Sequence, residues 1–250
     1  WVPRARNADA DALANEAMDA RASTYDALTD DLEAEVPDAP PVAPAWNPPA
    51  GDATRLLLLR HGQTALSVDR RFSGRGNPSL TEVGRRQAAE AANRLVHSGI
   101  DVIVSSPLAR AQETAAVVAG ALGLPVTFVD ELRECDFGEW DGLTIDEVSA
   151  RWPDELADWL ASFGVRPPGG ESVSEVRQRV EPALDGLRER FPAQKVLVVT
   201  HVTPIKCAVR YALGGPMSML NRLLLAPGSL TTLAWYDSGA SALWGFNVHP

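Results

Sequence analysis

Two short hydrophobic runs of this chain each lead to a histidine. Residues 56–59 are four leucines separated from His61 by one polar residue, and the apolar residues 196–199 stand in the same relation to His201. An unbroken apolar run of this length is typical of a strand buried on both faces of a parallel sheet. Ligands of open α/β sheets bind beyond the carboxyl ends of such strands, so the pattern predicts that both histidines lie at one site.

Further strands and helices alternate along residues 53–250, which predicts βαβ units around a parallel sheet. One helix is expected to start at Ser106, with Pro107 at its first position, and another at a capping box on Ser172, with a kink at Pro182. The other predicted helices are residues 81–96 and 204–213, with one or two more within 143–163. The predicted strands are residues 56–60, 102–104, 126–129 and 196–200, followed by an edge hairpin of residues 230–236 and 243–248.

The start of the chain differs in composition from the rest. Residues 1–54 hold eleven acidic and three basic side chains and carry −8 of the net charge of −10. Apolar residues at helical spacing predict a helix within residues 1–22. The acidic, proline-rich residues 23–52 cannot bury enough apolar surface to fold alone, which predicts an extended linker. The folded domain is therefore expected to span residues 53–250.

Composition also excludes several classes of protein. No apolar stretch approaches the roughly 18 residues of a membrane span, and the first twenty residues lack the apolar core of a signal peptide. Cys135 and Cys207 are too few for a disulfide framework and lack the spacing of a zinc site, so both are expected to be small buried side chains. These features predict a cytoplasmic protein with no membrane partner. The acidic segment repels nucleic acid, whereas a nearly neutral domain with a few arginines can bind a small anion.

Arg60, His61 and Gly62 place a guanidinium and an imidazole where the first strand ends. Neutral imidazole is a nucleophile that can attack phosphorus, and arginine binds phosphate oxygens through two N–H groups while keeping its charge. Neighbouring positive charge also favours the neutral, reactive form of histidine. Arg110 is expected in the first turn of the next helix, where free N–H groups and the helix dipole attract an anion. Together these residues predict a phosphate site.

The chain carries, in order, the motifs Arg60-His61-Gly62-Gln63-Thr64, Arg71-Phe72-Ser73-Gly74, Leu80-Thr81-Glu82-Val83-Gly84, Ser105-Ser106-Pro107-Leu108-Ala109-Arg110, Leu132-Arg133-Glu134, Phe137-Gly138-Glu139-Trp140, Pro168-Gly169-Gly170-Glu171-Ser172 and Thr200-His201. They resemble the histidine phosphatase superfamily, in the branch that contains phosphoglycerate mutases and α-ribazole phosphatases. The resemblance covers roughly residues 53–250. It implies a three-layer α/β/α sandwich with a mostly parallel central sheet, and a metal-independent acid phosphatase without a cofactor that acts on small phosphomonoesters.

The resemblance further implies a role for each site residue. His61 is the nucleophile that becomes phosphohistidine, and Glu134 is the general acid that protonates the leaving oxygen and then activates water. From the residues alone, Glu134 is not distinguished from its acidic neighbours Glu131, Asp136 and Glu139. His201 is implied as a third catalytic residue that joins the phosphate pocket. The other implied phosphate contacts are Arg60, Arg110, Thr64, Ser67, Gly74 and Val202, although Ser67 stands where many members have asparagine.

Residues 1–17 carry a second resemblance, to the last helix of type I ribonuclease H, with Asp11 on the final metal-binding aspartate of that family. Residues 1–22 are therefore interpreted as the C-terminal helix remnant of a ribonuclease H-like domain. One carboxylate cannot hold a two-metal site, so no nuclease activity is expected. The whole chain resembles the C-terminal part of a bifunctional ribonuclease H and acid phosphatase, which implies an upstream ribonuclease H domain in the parent polypeptide.

Two alternatives to hydrolysis stay open. One is phosphotransfer of the phosphoglycerate mutase type, which the short segment of residues 143–170 disfavours. The other is a silent phosphate-binding module tethered to a ribonuclease H domain, which the intact set of site residues disfavours. The sequence does not identify the substrate or the oligomeric state. The loops around residues 64–79 and 140–171 are expected to set the specificity. For four residues in them, contact with the leaving group and a position on the surface or in the core both stay open: Arg71, Arg75, Trp140 and Trp152.

Overall fold

Six strands form one sheet through residues 51–249, the part of the chain that the computed structural model describes. They are β1 (Ala53–Arg60), β2 (Val102–Ser105), β3 (Val126–Phe128), β4 (Lys195–Thr200), β5 (Leu230–Tyr236) and β6 (Ser241–Val248). The strand order is β3-β2-β4-β1-β5-β6, in which the first four strands are parallel to one another, β5 is antiparallel to β1, and β6 is antiparallel to β5. The predicted parallel sheet with an edge hairpin is confirmed. The helix predicted within residues 1–22 and nearly all of the linker predicted for 23–52 lie outside the described residues.

Helices cover both faces of the sheet, because successive residues of a strand point to opposite sides. They are α1 (Ala65–Val68), α2 (Glu82–Leu95), α3 (Ala109–Leu122), α4 (Ile145–Arg151), α5 (Pro153–Ala161), α6 (Val173–Arg190) and α7 (Val202–Leu213). Leu56 and Leu58 of β1 belong to the core that includes α6 and α7. Leu57 and Leu59 belong to the core that includes α2 and α3. The three-layer α/β/α sandwich is therefore confirmed.

One predicted helix start is wrong in a way that affects the site. α3 begins at Ala109 instead of Ser106, so Pro107 precedes the helix. The Ser106 N–H donates to the Val199 carbonyl at 2.9 Å, which extends the pairing of β2 with β4 beyond the strand. The Ser106 hydroxyl in turn accepts the Leu108 N–H at 3.3 Å. Pairing between strands therefore overrides the local proline signal, and Ser106 stays at the edge of the sheet.

The predicted capping box at Ser172 is present, with the Ser172 hydroxyl accepting the Glu175 N–H. α6 continues through Pro182 to Arg190, and the kink at this proline stays a prediction. The segment predicted to hold one or two helices divides into α4 and α5, with Pro153 opening α5. Within residues 51–249, no helix combines the length and the hydrophobicity needed to cross a membrane.

Three 3-10 turns were not predicted: Asp130–Leu132, Gly138–Trp140 and Met217–Arg222. The first two lie in the segment between β3 and α4, which passes over the carboxyl edge of the sheet. Trp140 of the second turn is fully buried, with ring centroids 5.7 Å from those of Phe72 and Trp159. This aromatic cluster fixes the loops that surround the strand ends.

Candidate active site

The two strand-end histidines lie together. β1 and β4 are parallel neighbours with Arg60 in register with Thr200, and the His61 N–H donates to the Thr200 carbonyl at 3.0 Å. The ring centroids of His61 and His201 are 5.1 Å apart, and both side chains are buried. The register of one strand pair is therefore enough to bring together two residues that are far apart in the sequence.

His61 is held as a neutral imidazole whose Nε2 carries no proton. Its Nδ1 lies 2.8 Å from the Gly62 carbonyl oxygen, which can only accept, so Nδ1 carries the proton and Nε2 carries the lone pair. The Nε–H of Arg110 approaches Nε2 at 3.3 Å. Burial lowers the pKa of His61 well below its ordinary value, and the charges of Arg110 and Arg60 lower it further. This ring can act as a nucleophile because its lone pair is not occupied by a proton.

Arg110 is fully buried, and its guanidinium is held by backbone carbonyls. Nη1 donates to Gly76 at 2.9 Å, while Nη2 donates to Ser73 at 3.0 Å and to Gly74 at 2.9 Å. None of these acceptors carries a full charge, so within residues 51–249 no ion pair neutralises the positive charge of Arg110. A fixed positive charge beside a nucleophile suits the oxygens of a phosphate group.

Arg60 and His201 each have a buried polar atom without a partner among the described residues, Nε in Arg60 and Nδ1 in His201. Arg60 Nη1 donates to the Leu225 carbonyl, and burial lowers the pKa of Arg60 to about 10. His201 Nε2 lies 2.7 Å from the Ser106 hydroxyl, and burial lowers the pKa of His201 well below its ordinary value. Unpaired buried polar atoms are costly, and atoms of this kind are typical of ligand sites.

Glu134 is buried, with 6% of its surface exposed, and lies close enough to Arg60 and Arg110 for its charge to oppose the lowering of the pKa of both. Its Oε1 accepts the Cys135 N–H at 2.8 Å and the Thr203 N–H at 3.1 Å. Thr203 is the second residue of α7, which begins at Val202, two residues earlier than predicted. The N-terminus of α7 therefore holds one face of the Glu134 carboxyl group.

A cleft of about 400 Å³ opens over Arg60, His61 and Glu134, whereas Arg110 and His201 do not line it. Four acidic residues close in sequence were candidates for the general acid, and of these only Glu134 lines the cleft. Asp136 forms a salt bridge with Arg75 at 2.8 Å, and Glu131 and Glu139 are exposed. The residues that line the cleft are Arg60, His61, Thr64, Ser67, Arg70, Arg71, Phe72, Ser73, Glu134, Phe137, Ile145, Val202 and Thr203. The cleft joins a nucleophile, a cation and a carboxyl group to an outer wall that is partly aromatic.

Comparison with known proteins identifies the family of this chain. The model of the histidine phosphatase superfamily, branch 1, matches residues 56–247. The chain belongs to this superfamily. The family suggested by the sequence motifs is therefore confirmed, and so is its fold class.

Proteins of several kinds are similar to this chain. Bifunctional protein Rv2228c of Mycobacterium tuberculosis is 48% identical over 244 residues, which are 97% of this chain and 67% of that protein. Probable phosphoglycerate mutase GpmB of Yersinia pestis is 34% identical over 187 residues, which are 74% of this chain and 86% of that protein. The solved structure of the α-ribazole phosphatase from Shigella flexneri is 27% identical, has a TM-score of 0.73, and covers 78% of this chain and 97% of its own.

The remaining predicted contacts of this histidine phosphatase domain lie around the cleft. Thr64 and Ser67 line it, but their side chains cap α1 through bonds to each other's backbone N–H groups. Val202 lines the cleft at the start of α7. Gly74 does not line it, and its N–H is donated to Asp141. The carbonyl of Gly74 holds Arg110, and the phosphate contact predicted for Gly74 stays a prediction.

Two residues of this histidine phosphatase site were missed by sequence reasoning. Ser106 contacts His201, and its place directly after a predicted strand was a signal that could have been used. Asp141 supports the loop that holds Arg110, and no local pattern marks it. Of the residues left open, Trp140 belongs to the core, and Arg71 lines the cleft while pairing with Glu147 at 2.7 Å.

Proposed function

We propose that this domain is a metal-independent phosphomonoesterase that hydrolyses small phosphate esters through a phosphohistidine on His61. The observation that carries the proposal is the buried, neutral His61, whose unprotonated Nε2 lies 3.3 Å from Arg110. Glu134 and His61 line the same cleft. The reaction requires a nucleophile, a positive charge for the phosphate oxygens and a proton donor for the leaving group. The three side chains supply one of each.

In the first half-reaction, the phosphate of the ester binds to the guanidinium groups of Arg60 and Arg110 and to an N–H of His201. The lone pair of His61 Nε2 forms a bond to phosphorus while the bond from phosphorus to the alcohol oxygen breaks. That oxygen takes the proton of the Glu134 carboxylic acid, so the alcohol leaves without charge. Phosphohistidine and the Glu134 carboxylate remain.

In the second half-reaction, the Glu134 carboxylate takes a proton from a water molecule as the water oxygen attacks phosphorus. The bond between phosphorus and His61 Nε2 breaks, and its electron pair returns to the ring. Inorganic phosphate leaves, while Glu134 is protonated and His61 is neutral, as before the reaction. Arg60 and Arg110 compensate the charge of the phosphoryl oxygens in both transfers.

The test compares wild-type protein with His61→Ala, using p-nitrophenyl phosphate as substrate. The wild type should release phosphate and, when quenched in alkali, carry the mass of one phosphoryl group on the peptide that contains His61. His61→Ala should lose both properties. Turnover by this variant at the wild-type rate, or a phosphoryl group on another residue, would reject the mechanism. A wild-type protein that binds phosphate but releases none from any ester would instead favour the silent module.

A mutase is the second candidate, because a protein that is 34% identical is named a probable phosphoglycerate mutase. A mutase has to retain the phosphorylated product and reposition it, so it should isomerise 3-phosphoglycerate without net release of phosphate. The segment between the Gly138–Trp140 turn and α6 holds only the short helices α4 and α5. We therefore expect hydrolysis to exceed isomerisation when both products are measured in one assay.

The outer wall limits the choice of leaving group. Phe72, Phe137 and Ile145 supply apolar surface there, and Arg70 and Arg71 supply positive charge. A panel of α-ribazole phosphate, sugar phosphates and phosphoglycerates would rank substrates by kcat/KM. The cytoplasmic location and the upstream ribonuclease H domain stay predictions, and the name of the bifunctional relative supports a fused partner domain.

A further inference from the structure

Asp141 does not line the cleft, yet it holds the loop of residues 73–76 beside it. Its Oδ1 accepts the N–H of Gly74 and its Oδ2 accepts the N–H of Gly76, each at 2.7 Å. Asp141 directly follows the Gly138–Trp140 turn, and the buried Trp140 fixes that turn. Both carboxylate oxygens are thus used on one loop.

The same loop holds Arg110 through its carbonyl groups. The Arg110 guanidinium donates to the carbonyls of Ser73, Gly74 and Gly76 at distances of 2.9 to 3.0 Å. Two N–H donors remain, and one of them, on Nε, faces His61 Nε2 at 3.3 Å. The orientation of the guanidinium toward the nucleophile therefore depends on where this loop lies.

One peptide unit joins the carboxylate to the guanidinium. The peptide between Ser73 and Gly74 donates its N–H to Asp141 and accepts an N–H of Arg110 with its C=O. Hydrogen bonds in such a chain polarise one another, so the carboxylate strengthens the bond to Arg110. Burial lowers the pKa of Arg110, and the charges of Glu134 and Asp141 oppose that shift.

The loop has no room for side chains at its two glycines. A Cβ added at Gly76 would lie 2.7 Å from Asp141 Oδ2. A Cβ added at Gly74 would lie 2.6 Å from the Cys135 carbonyl oxygen. Contacts this short do not occur between real atoms of these types, so the close approach of the loop to Asp141 requires glycine at both positions.

We propose that Asp141 is a positioning residue of the phosphate site, which fixes the Arg110 guanidinium opposite His61 through the loop of residues 73–76. The kinetic part of its test rests on the proposed function, whereas phosphate binding and the state of Arg110 can be measured without turnover. A carboxylate that only stabilised the fold would change the melting temperature and leave the affinity for phosphate unaltered.

The experiment compares Asp141→Asn with Asp146→Asn. Asparagine offers one acceptor oxygen and an NH₂ group, so in the first variant a donor would face the N–H of Gly74 or Gly76. Asp146 lies exposed in the first turn of α4, and its substitution changes the net charge equally. The measurements are the dissociation constant of inorganic phosphate, the NMR resonance of the Arg110 Nε–H, kcat and KM for p-nitrophenyl phosphate, and the melting temperature.

We expect Asp141→Asn to weaken phosphate binding and to lower kcat/KM, each about 10- to 100-fold, and to shift the Arg110 resonance. Asp146→Asn should match the wild type in all three. Phosphate affinity and an Arg110 resonance equal to those of Asp146→Asn would overturn the proposal, whatever the melting temperature does. If Asp141→Asn does not fold, Gly76→Ala displaces the same carboxylate and is judged by the same two measurements. Turnover by His61→Ala at the wild-type rate would instead reject the proposed function alone.

Discussion

The stability of this domain should fall as the pH drops below about 6.5, because His61 and His201 are buried without charge. Burial is the largest cause that lowers the pKa of both rings well below 6.5, and the positive charges of Arg110 and Arg60 add to it. The native state therefore binds fewer protons than the unfolded chain. The free energy of unfolding therefore rises with pH. The stability contributed by keeping both histidines neutral is fully present above their unfolded pKa and is lost as the pH falls below it.

The magnitude follows from proton linkage. A histidine that stays neutral in the native state costs about 1.4 kcal/mol one pH unit below its unfolded pKa. Two such rings make the free energy of unfolding about 2.7 kcal/mol lower at about pH 5.5 than at about pH 7.5. Domains are typically stable by about 5–15 kcal/mol, so the loss is a large fraction of the total. The centroids of the two rings lie 5.1 Å apart, and protonation of one therefore opposes protonation of the other.

Urea unfolding followed by tryptophan fluorescence measures this difference. The wild type should show the full loss over this interval, His61→Gln and His201→Gln about half of it each, and the double variant almost none. Glu147 and Glu175, whose hydrogen bonds lower their pKa below 4.5, affect stability at more acidic pH and so do not interfere. A double variant with the pH dependence of the wild type would refute the reasoning.

Three further substitutions test other parts of the site and of the helix α3. Glu134→Gln should lower kcat for glycerol phosphate about 10²- to 10⁴-fold but much less for p-nitrophenyl phosphate, whose leaving group needs no proton. Equal losses with both substrates would contradict a general acid. Gly74→Ala should lower the melting temperature and kcat/KM together, because the added Cβ would lie 2.6 Å from a backbone oxygen. Thermal unfolding and steady-state kinetics measure both effects, and an unchanged kcat/KM would show that the loop can move freely. Gly120→Ala, in α3 with nothing within 4 Å of the added Cβ, should raise the free energy of unfolding by about 0.5–1 kcal/mol and leave kcat unaltered. A destabilised Gly120→Ala in urea unfolding would argue against an open environment there.

The strands that carry the histidines could be predicted because each encodes its burial locally. β1 and β4 are apolar runs, and a parallel sheet brings the residues after them to one edge whatever their separation in sequence. The capping box at Ser172 is equally local. The start of α3 could not be predicted in this way, because the Ser106 N–H pairs with a strand more than ninety residues away.

Support for the site depends on contacts that no local pattern encodes. Asp141 accepts hydrogen bonds from glycines 67 and 65 residues earlier in the chain. Only the resemblance to a known family distinguished Glu134 from its acidic neighbours. In the structure, the N–H of the second residue of α7 donates to the Glu134 carboxyl group, and the position of that helix is not encoded near Glu134 in the sequence. Sequence periodicity therefore predicts where the chemistry lies, while the fold determines which side chains hold it in place.

The inner and outer halves of the cleft differ in construction, and this difference bears on specificity. The inner half contains His61, and behind it lies Arg110, which is fully buried and fixed by three carbonyls, so its charge would need no reorganisation if a phosphate binds as proposed. In the outer half, Arg70 is exposed, with a left-handed backbone at φ 53°, and Arg71 is tied to Glu147 of α4. Side chains at this outer wall can change without disturbing the ends of β1 and β4. If the proposed function holds, one inner half could serve different phosphate esters, because only the outer wall would have to differ.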